Sequence, residues 1–216
     1  MIQKMLRTIT AKHHLNAITI GEYARMKVGV MNFQIWAFHA EGLGHVSAMT
    51  ATGMFGLMKM DTLIINPTER DMPLFSYDRV HAMGNDTLIY ELYDTILEKA
   101  ELSRTEEIKE KYRHLPDHDL GSHWYDFIKL AVSLSKKGKK SHTAAFDVCA
   151  MEYLEAFLAD AGEAEYCEPG PKKDKASVYV EGLLKNGGPS TDVFMKRIGE
   201  EKTAELFRHI LFGTAQ

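Results

Sequence analysis

Three carboxylates, Asp61, Asp78 and Glu91, have the types and spacing to do chemistry. They lie in the stretch 61–94, DTLIINPTERDMPLFSYDRVHAMGNDTLIYELYD. It reads as three strands joined by two hairpins. Asp61 to Ile65 is a short run rich in β-formers, ended by Asn66-Pro67, a turn signal that also removes a ladder donor. Leu74 to His81 alternates, and Gly84-Asn85 offers a two-residue turn with Gly first, the II′ type suited to tight hairpins. Thr87 to Asp94 returns as the third strand. If Ile65 faces Leu74, Asp61 lies opposite Asp78; if Met83 faces Asp86, Asp78 lies opposite Glu91. Side chains alternate with a period of two, so the three acids form one row on one sheet face, shared with Leu63, Ile65, Leu74, Val80 and Ile89.

Like charges directly opposed across strands destabilise a sheet. Such a row calls for a raised pKa, a metal or a cationic ligand. The alternatives are a wet face on which the repulsion is screened, or a one-residue slip of register that scatters the row. An acid that must donate a proton near neutral pH needs a raised pKa, which neighbouring acids in an apolar pocket supply. Three carboxylates are also an oxygen-ligand set that suits a hard cation.

The elements that position this stretch follow from the rest of the chain. Residues 1–32 read as a helical lead-in with Ile2, Met5, Leu6, Ile9 and Leu15 as an apolar stripe; Thr19–Val30 reads as a second helix or a first strand. Asn32–Glu41 reads as a strand, broken by Gly42-Leu43-Gly44. His45–Met60, with Gly53 and Gly56, flows into the Asp61 strand. Thr95–Arg113 has helical spacing. Residues 114–123, HLPDHDLGSH, read as a solvated loop, since His114, His118 and His123 are irregularly spaced beside Pro and Gly, with a metal site as the alternative. Trp124–Leu134 reads as packed helix, Lys136–Lys140 as a basic loop, and Ala144–Leu158 as an amphipathic helix. Glu163–Lys175 reads as a polar linker before two closing helices, Ala176–Leu184 and Thr191–Leu211. Apolar residues on both sheet faces favour helices over both, an α/β/α sandwich with a central antiparallel sheet, as one domain over 1–216.

With 45% hydrophobic and 26% charged residues the composition is that of an ordinary globular chain. A formal net charge of −4 leaves no global nucleic-acid footprint. No apolar run approaches the roughly 20 residues needed to cross a bilayer, so the expected address is the cytoplasm with no membrane contact. Cys149 and Cys167 are too few for a disulfide scaffold. There is no phosphate-cradling glycine loop and no Gly-x-Ser-x-Gly elbow.

The segment Asp71-Met72-Pro73-Leu74-Phe75-Ser76-Tyr77-Asp78-Arg79-Val80 fits the pattern D-x-P-[IL]-F-x-x-D-x-V. The C-terminal part fits F-x-x-x-x-G-x-E followed by Leu-Phe, as Phe194, Gly199, Glu201, Leu211 and Phe212, with Tyr179 ahead of it. On these residues the chain resembles the ferredoxin-dependent bilin reductases and their relatives, the red chlorophyll catabolite reductases. The resemblance implies an α/β/α sandwich holding a linear tetrapyrrole between the sheet and C-terminal helices. It implies no bound metal or flavin, electrons supplied singly by reduced ferredoxin or flavodoxin, and protons supplied by the protein through a bilin radical. Asp78 matches the family's catalytic aspartate. Seventeen residues earlier, where bilin reductases often have a histidine, stands Asp61; and Pro67 stands alone where many members have two prolines.

Around that carry-over, Met58 and Tyr77 are expected to offer soft or flat surfaces to a conjugated ligand, as are Met49 and Met54. Arg79 and Lys59 are candidates for the ligand's propionates, although Arg79 points away from Asp78 in a regular strand. Lys136–Lys140, or Lys172, Lys173 and Lys175, are expected to steer an acidic ferredoxin or flavodoxin. Two other functions fit the same residues: a haem- or bilin-binding protein without catalysis, and a metal enzyme using the three acids.

Overall fold

The structure is a computed structural model describing residues 1–188 and 190–215. Its centre is an eight-stranded antiparallel sheet: β1 (Leu15–Ala17), β2 (Arg25–Val28), β3 (Met31–Ala40), β4 (Gly44–Gly53), β5 (Met58–Asn66), β6 (Leu74–Ala82), β7 (Asn85–Tyr93) and β8 (Leu134–Lys139). From β3 to β8 neighbours in sequence are neighbours in the sheet, while β1 and β2 both pair with β3. One face is covered by α1 (Ile2–Thr10) and α3 (Thr143–Glu163), with α2 (Ser103–Lys111) against α3. The other is covered by α4 (Pro169–Asn186), α5 (Thr191–Ile198), α6 (Glu200–Glu205) and a π-helical turn, Leu206–Leu211. Two apolar cores result, one on each side: Leu63, Ile65, Phe75, Tyr77, Leu88 and Tyr90 belong to the α1/α3 core, Met49, Ile64 and Leu74 to the α4–α5 core. The α/β/α sandwich expected from the sequence is present.

Register departs from the sequence reading at both hairpins. Asn66 remains in the ladder, paired with His45, so Ile65 faces Phe75 rather than Leu74. That one-residue slip turns β6 over relative to β5. Asp61 then faces Arg79, and the residue facing Asp78 is Thr62. The second turn is centred on Met83-Gly84, with φ of 51° and 77°, rather than on Gly84-Asn85. Two successive positive φ angles make it type I′, whose twist suits a hairpin. Ala82 faces Asn85, and Asp78 faces Ile89. This shift is by two residues, so Asp78 and Glu91 stay on one face, Glu91 displaced to lie opposite Ser76.

Other boundaries move for identifiable reasons. The segment read as helix at 124–134 is a loop with one 3₁₀ turn, Asp126–Ile128. Lys136–Lys140, read as a loop, lies mostly in strand β8. Three lysines mask its alternation: Leu134 and Lys136 point inward, and the Lys136 ammonium is held by the Leu115 carbonyl at 2.9 Å and Asp117 at 2.5 Å. Lys137 and Lys139 keep this edge charged and exposed, which guards it against further pairing. The expected linker 163–175 contains the start of α4 at Pro169, a residue suited to a first helical turn. Within it Lys172 is fully buried and donates to the Met72 and Thr95 carbonyls at 2.6 and 2.7 Å. Thr19–Val30 forms a 3₁₀ turn and β2 rather than a helix, and only Ser103–Lys111 of the segment 95–113 is helical.

Candidate active site

Asp78 stands on the sheet floor of a cavity of about 220 Å³ between the sheet and the C-terminal helices. Met60, Thr62 and Ile64 of β5, Val80 of β6, and Ile89 and Glu91 of β7 share that floor. Tyr179 and Leu183 of α4, Phe194 of α5, and Phe207, Leu211 and Phe212 at the π-turn form the roof, and Leu120, His123 and Tyr125 enter from the loop ahead of β8. The walls are apolar and aromatic with few polar groups, the usual make-up of a small-molecule site.

The polar groups are each positioned by their own element. Thr62, cross-strand from Asp78, donates its hydroxyl to Asp78 Oδ1 at 2.5 Å. Burial, opposed by that hydrogen bond and assisted by the charge of Glu91, pushes the Asp78 carboxyl from 3.8 up to about 6. Glu91 is diagonal to Asp78, a spacing of about 7–8 Å in an antiparallel pair. Its Oε2 accepts the Tyr93 hydroxyl at 2.7 Å, and its Oε1 lies 3.5 Å from the Lys129 ammonium. Lys129 is anchored in turn by Asp126 at 2.7 Å.

Aromatic rings build the wall beyond the acids. Tyr93 stacks on Tyr179 at 4.2 Å, and Tyr125 meets both edge-on at 5.6 and 5.7 Å. Burial holds the Tyr93, Tyr125 and Tyr179 phenols above their ordinary value of 10. His123 lies flat on Tyr125, 4.9 Å away with 7° between the rings. Its Nδ1 is buried without a hydrogen-bond partner, the nearest carboxylate oxygen being that of Asp126 at 3.9 Å. The roof is clasped to the sheet by three side chains: His45 donates to the Ile210 carbonyl at 2.8 Å, Ser47 to that of Leu211 at 2.7 Å, and Asn66 to that of Phe212 at 2.8 Å. A π-helical turn is an uncommon conformation that recurs at functional sites, and here it presents Phe207 and Leu211 to the cavity.

The residues singled out from sequence divide between the two faces. Asp78 and Glu91 share the cavity. Asp61 does not: the register slip puts it on the α1 side, 3.3 Å from the N-terminal amine of Met1. The row of three acids is therefore a pair, and the three-carboxylate metal site is dispersed. Among the described residues no group of three or more His, Cys, Asp or Glu side chains converges to hold a metal ion. Tyr77 and Arg79 also face away from the cavity; both are fully buried, and Arg79 forks onto Asp86 at 2.5 and 2.7 Å. Lys59 pairs with His81 on the same far face and lines a separate surface cleft. Met58 is on the cavity's side of the sheet but beyond the lining residues. None of these four serves the cavity as expected. Thr62, His123, Tyr93 and Tyr125 are site residues that the sequence reading does not single out, whereas Tyr179 stands in its C-terminal motif. The cue for Thr62 is the register, and His123 lies in a loop whose only suggested chemistry is a metal site.

No family model matches the chain, and no curated protein sequence matches it. Among solved structures, the crystal structure of phytochromobilin synthase from tomato in complex with biliverdin superposes with a TM-score of 0.80 at 14% identity, covering 99% of this chain and 82% of that one. The chain has a fold similar to that of phytochromobilin synthase. At 14% identity the likeness to phytochromobilin synthase is one of fold, and it agrees with the bilin-reductase resemblance carried by the segments around Asp78 and Phe194. Among the described residues no helix is long and apolar enough to cross a membrane.

Proposed function

We propose that this protein reduces a linear tetrapyrrole, a bilin or related open-chain pigment, with electrons delivered singly by reduced ferredoxin or flavodoxin and protons delivered by its own side chains. The observation that carries the reading is Asp78: a carboxyl group pushed up to about 6 on the floor of an aromatic-walled cavity, in a fold whose solved example, phytochromobilin synthase, holds biliverdin. An acid of that strength is protonated often enough near neutral pH to donate, and is regenerated readily afterwards. In this reading a flat conjugated ligand lies between the sheet and the rings of Tyr179, Phe207 and Phe212, with its pyrrole N–H groups toward the carboxyls and the roof moving outward to admit its full length. After the first electron arrives, Asp78 transfers its proton to the tetrapyrrole and is left as a carboxylate, which water reprotonates.

The electron donor docks, in this reading, at the end of the sheet where Lys137, Lys139 and Lys140 are exposed. Met58 faces Ala82 and Asn85 faces Lys139, so the Phe55, Leu57 and Met83 turns project from that same end as exposed apolar tips. A basic, partly apolar surface suits an acidic partner. Lys172 and Lys136, being buried, take no part.

Anaerobic incubation with biliverdin and a reduced ferredoxin system tests the proposal. The expected result is a shifted visible spectrum on binding, then bleaching or a further shift on reduction, with K139E/K140E raising the KM for ferredoxin. No spectral change with any linear tetrapyrrole contradicts it. The second reading, a haem- or bilin-binding protein without turnover, draws on Thr62 standing opposite Asp78 where an ionisable partner was expected; binding without reduction, unaffected by Asp78→Asn, would establish it.

A further inference from the structure

We infer that His123 is the second proton donor of the proposed reduction. The inference rests on that reading and deepens it. Saturating one double bond consumes two electrons and two protons, and Asp78 holds one proton at a time. Other groups at the cavity are poorly suited to the second transfer. The Thr62 hydroxyl is too weak an acid and is already given to Asp78. The Tyr93, Tyr125 and Tyr179 phenols are held above 10. Glu91 accepts the Tyr93 hydroxyl on Oε2 and faces the Lys129 ammonium 3.5 Å from Oε1, an oxygen that itself makes no hydrogen bond among the described residues.

His123 is different: it lines the same cavity, and its Nδ1 is buried with no hydrogen-bond partner among the described residues. Buried polar atoms in native proteins are almost always satisfied, so the imidazole, 22% exposed, stands at the cavity without a partner for that nitrogen among the described residues. The ring is also held firmly. It stacks on Tyr125, and the His123 backbone N–H donates to Asp126 Oδ2 at 2.8 Å. The neighbouring Trp124 donates to the Gly187 carbonyl at 2.9 Å and lies so close to Gly182 that a Cβ there would sit 2.1 Å from its ring. The loop is thereby pinned to α4. Asp126, itself paired with Lys129, is the charged group beside the imidazole.

The steps balance as follows. The iron–sulfur or flavin donor gives one electron, and the Asp78 proton joins the ligand to make a neutral radical. A second electron and the imidazolium N–H proton then complete the dihydro product. One π bond is lost and two bonds to hydrogen form; Asp78 ends as a carboxylate and His123 as a neutral ring, both reprotonated by water.

The test compares wild type, H123Q and H123A in anaerobic single turnover with biliverdin and reduced ferredoxin, followed by visible and electron paramagnetic resonance spectra. Biliverdin binding within about threefold of wild type, a radical that persists, and product formation slowed by about 100-fold are expected; added imidazole should speed H123A. Product formation at the wild-type rate in both variants, with no accumulated radical, overturns the inference while leaving the proposed function standing. If wild type itself fails to reduce the pigment, the proposed function falls and the inference falls with it.

Discussion

Asp78 is costly to keep where it stands. Its carboxyl titrates near 3.8 in an unfolded chain and about 6 here, so the folded state binds more protons between those values. Stability therefore declines as pH rises from about 4 to 6, and at pH 7 the full cost is present. Asp78→Asn should stabilise the fold at pH 7 by about 1–3 kcal/mol, with the advantage disappearing below about pH 4. Urea denaturation at the two pH values checks this; an equal effect at both would refute it. A group that lowers stability while offering a proton near neutrality fits a catalytic position better than a structural one.

At the scale of elements, the roof depends on the clasp between β4, β5 and the π-turn. His45 is at its centre, with Gly213 beneath it at φ +58°; a Cβ on Gly213 would lie 2.4 Å from the imidazole. Burial, opposed by the hydrogen bond to Ile210, lowers the His45 pKa from 6.5 to about 4, so the ring stays neutral and donating. The stability it contributes is complete above 6.5 and is lost as pH falls toward 4. Between pH 7 and pH 5 that loss should be about 2 kcal/mol and absent from His45→Gln, measured as the difference in urea midpoints; parallel pH profiles for the two proteins would contradict it. The helical roof was partly visible in the sequence, since Phe194 and Leu211 carry its pattern, but its break at Gly199 and the π-turn were not. The strands from Asn32 to Asp94 were legible because alternation and turn residues agree there. The register was not: one extra ladder position at Asn66 was enough to send Asp61 through the sheet. Strand β8 escaped notice because a lysine-rich edge strand alternates in burial rather than in residue type.

For the whole molecule, the two faces of one sheet have different work. The α1/α3 face buries Tyr77 and the Arg79–Asp86 pair in its core. The α4–α5 face leaves room over Asp78 for a ligand. Sequence spacing alone put both aspartates on the ligand's side; the pairing of Asp61 with Arg79 and of Thr62 with Asp78 separates them. The most direct measurement is therefore anaerobic biliverdin turnover by D78N and D61N beside the wild type, with binding titrated separately. D78N should bind the pigment yet reduce it at least about 100-fold more slowly, while D61N reduces it at close to the wild-type rate. Undiminished turnover by D78N would contradict the account.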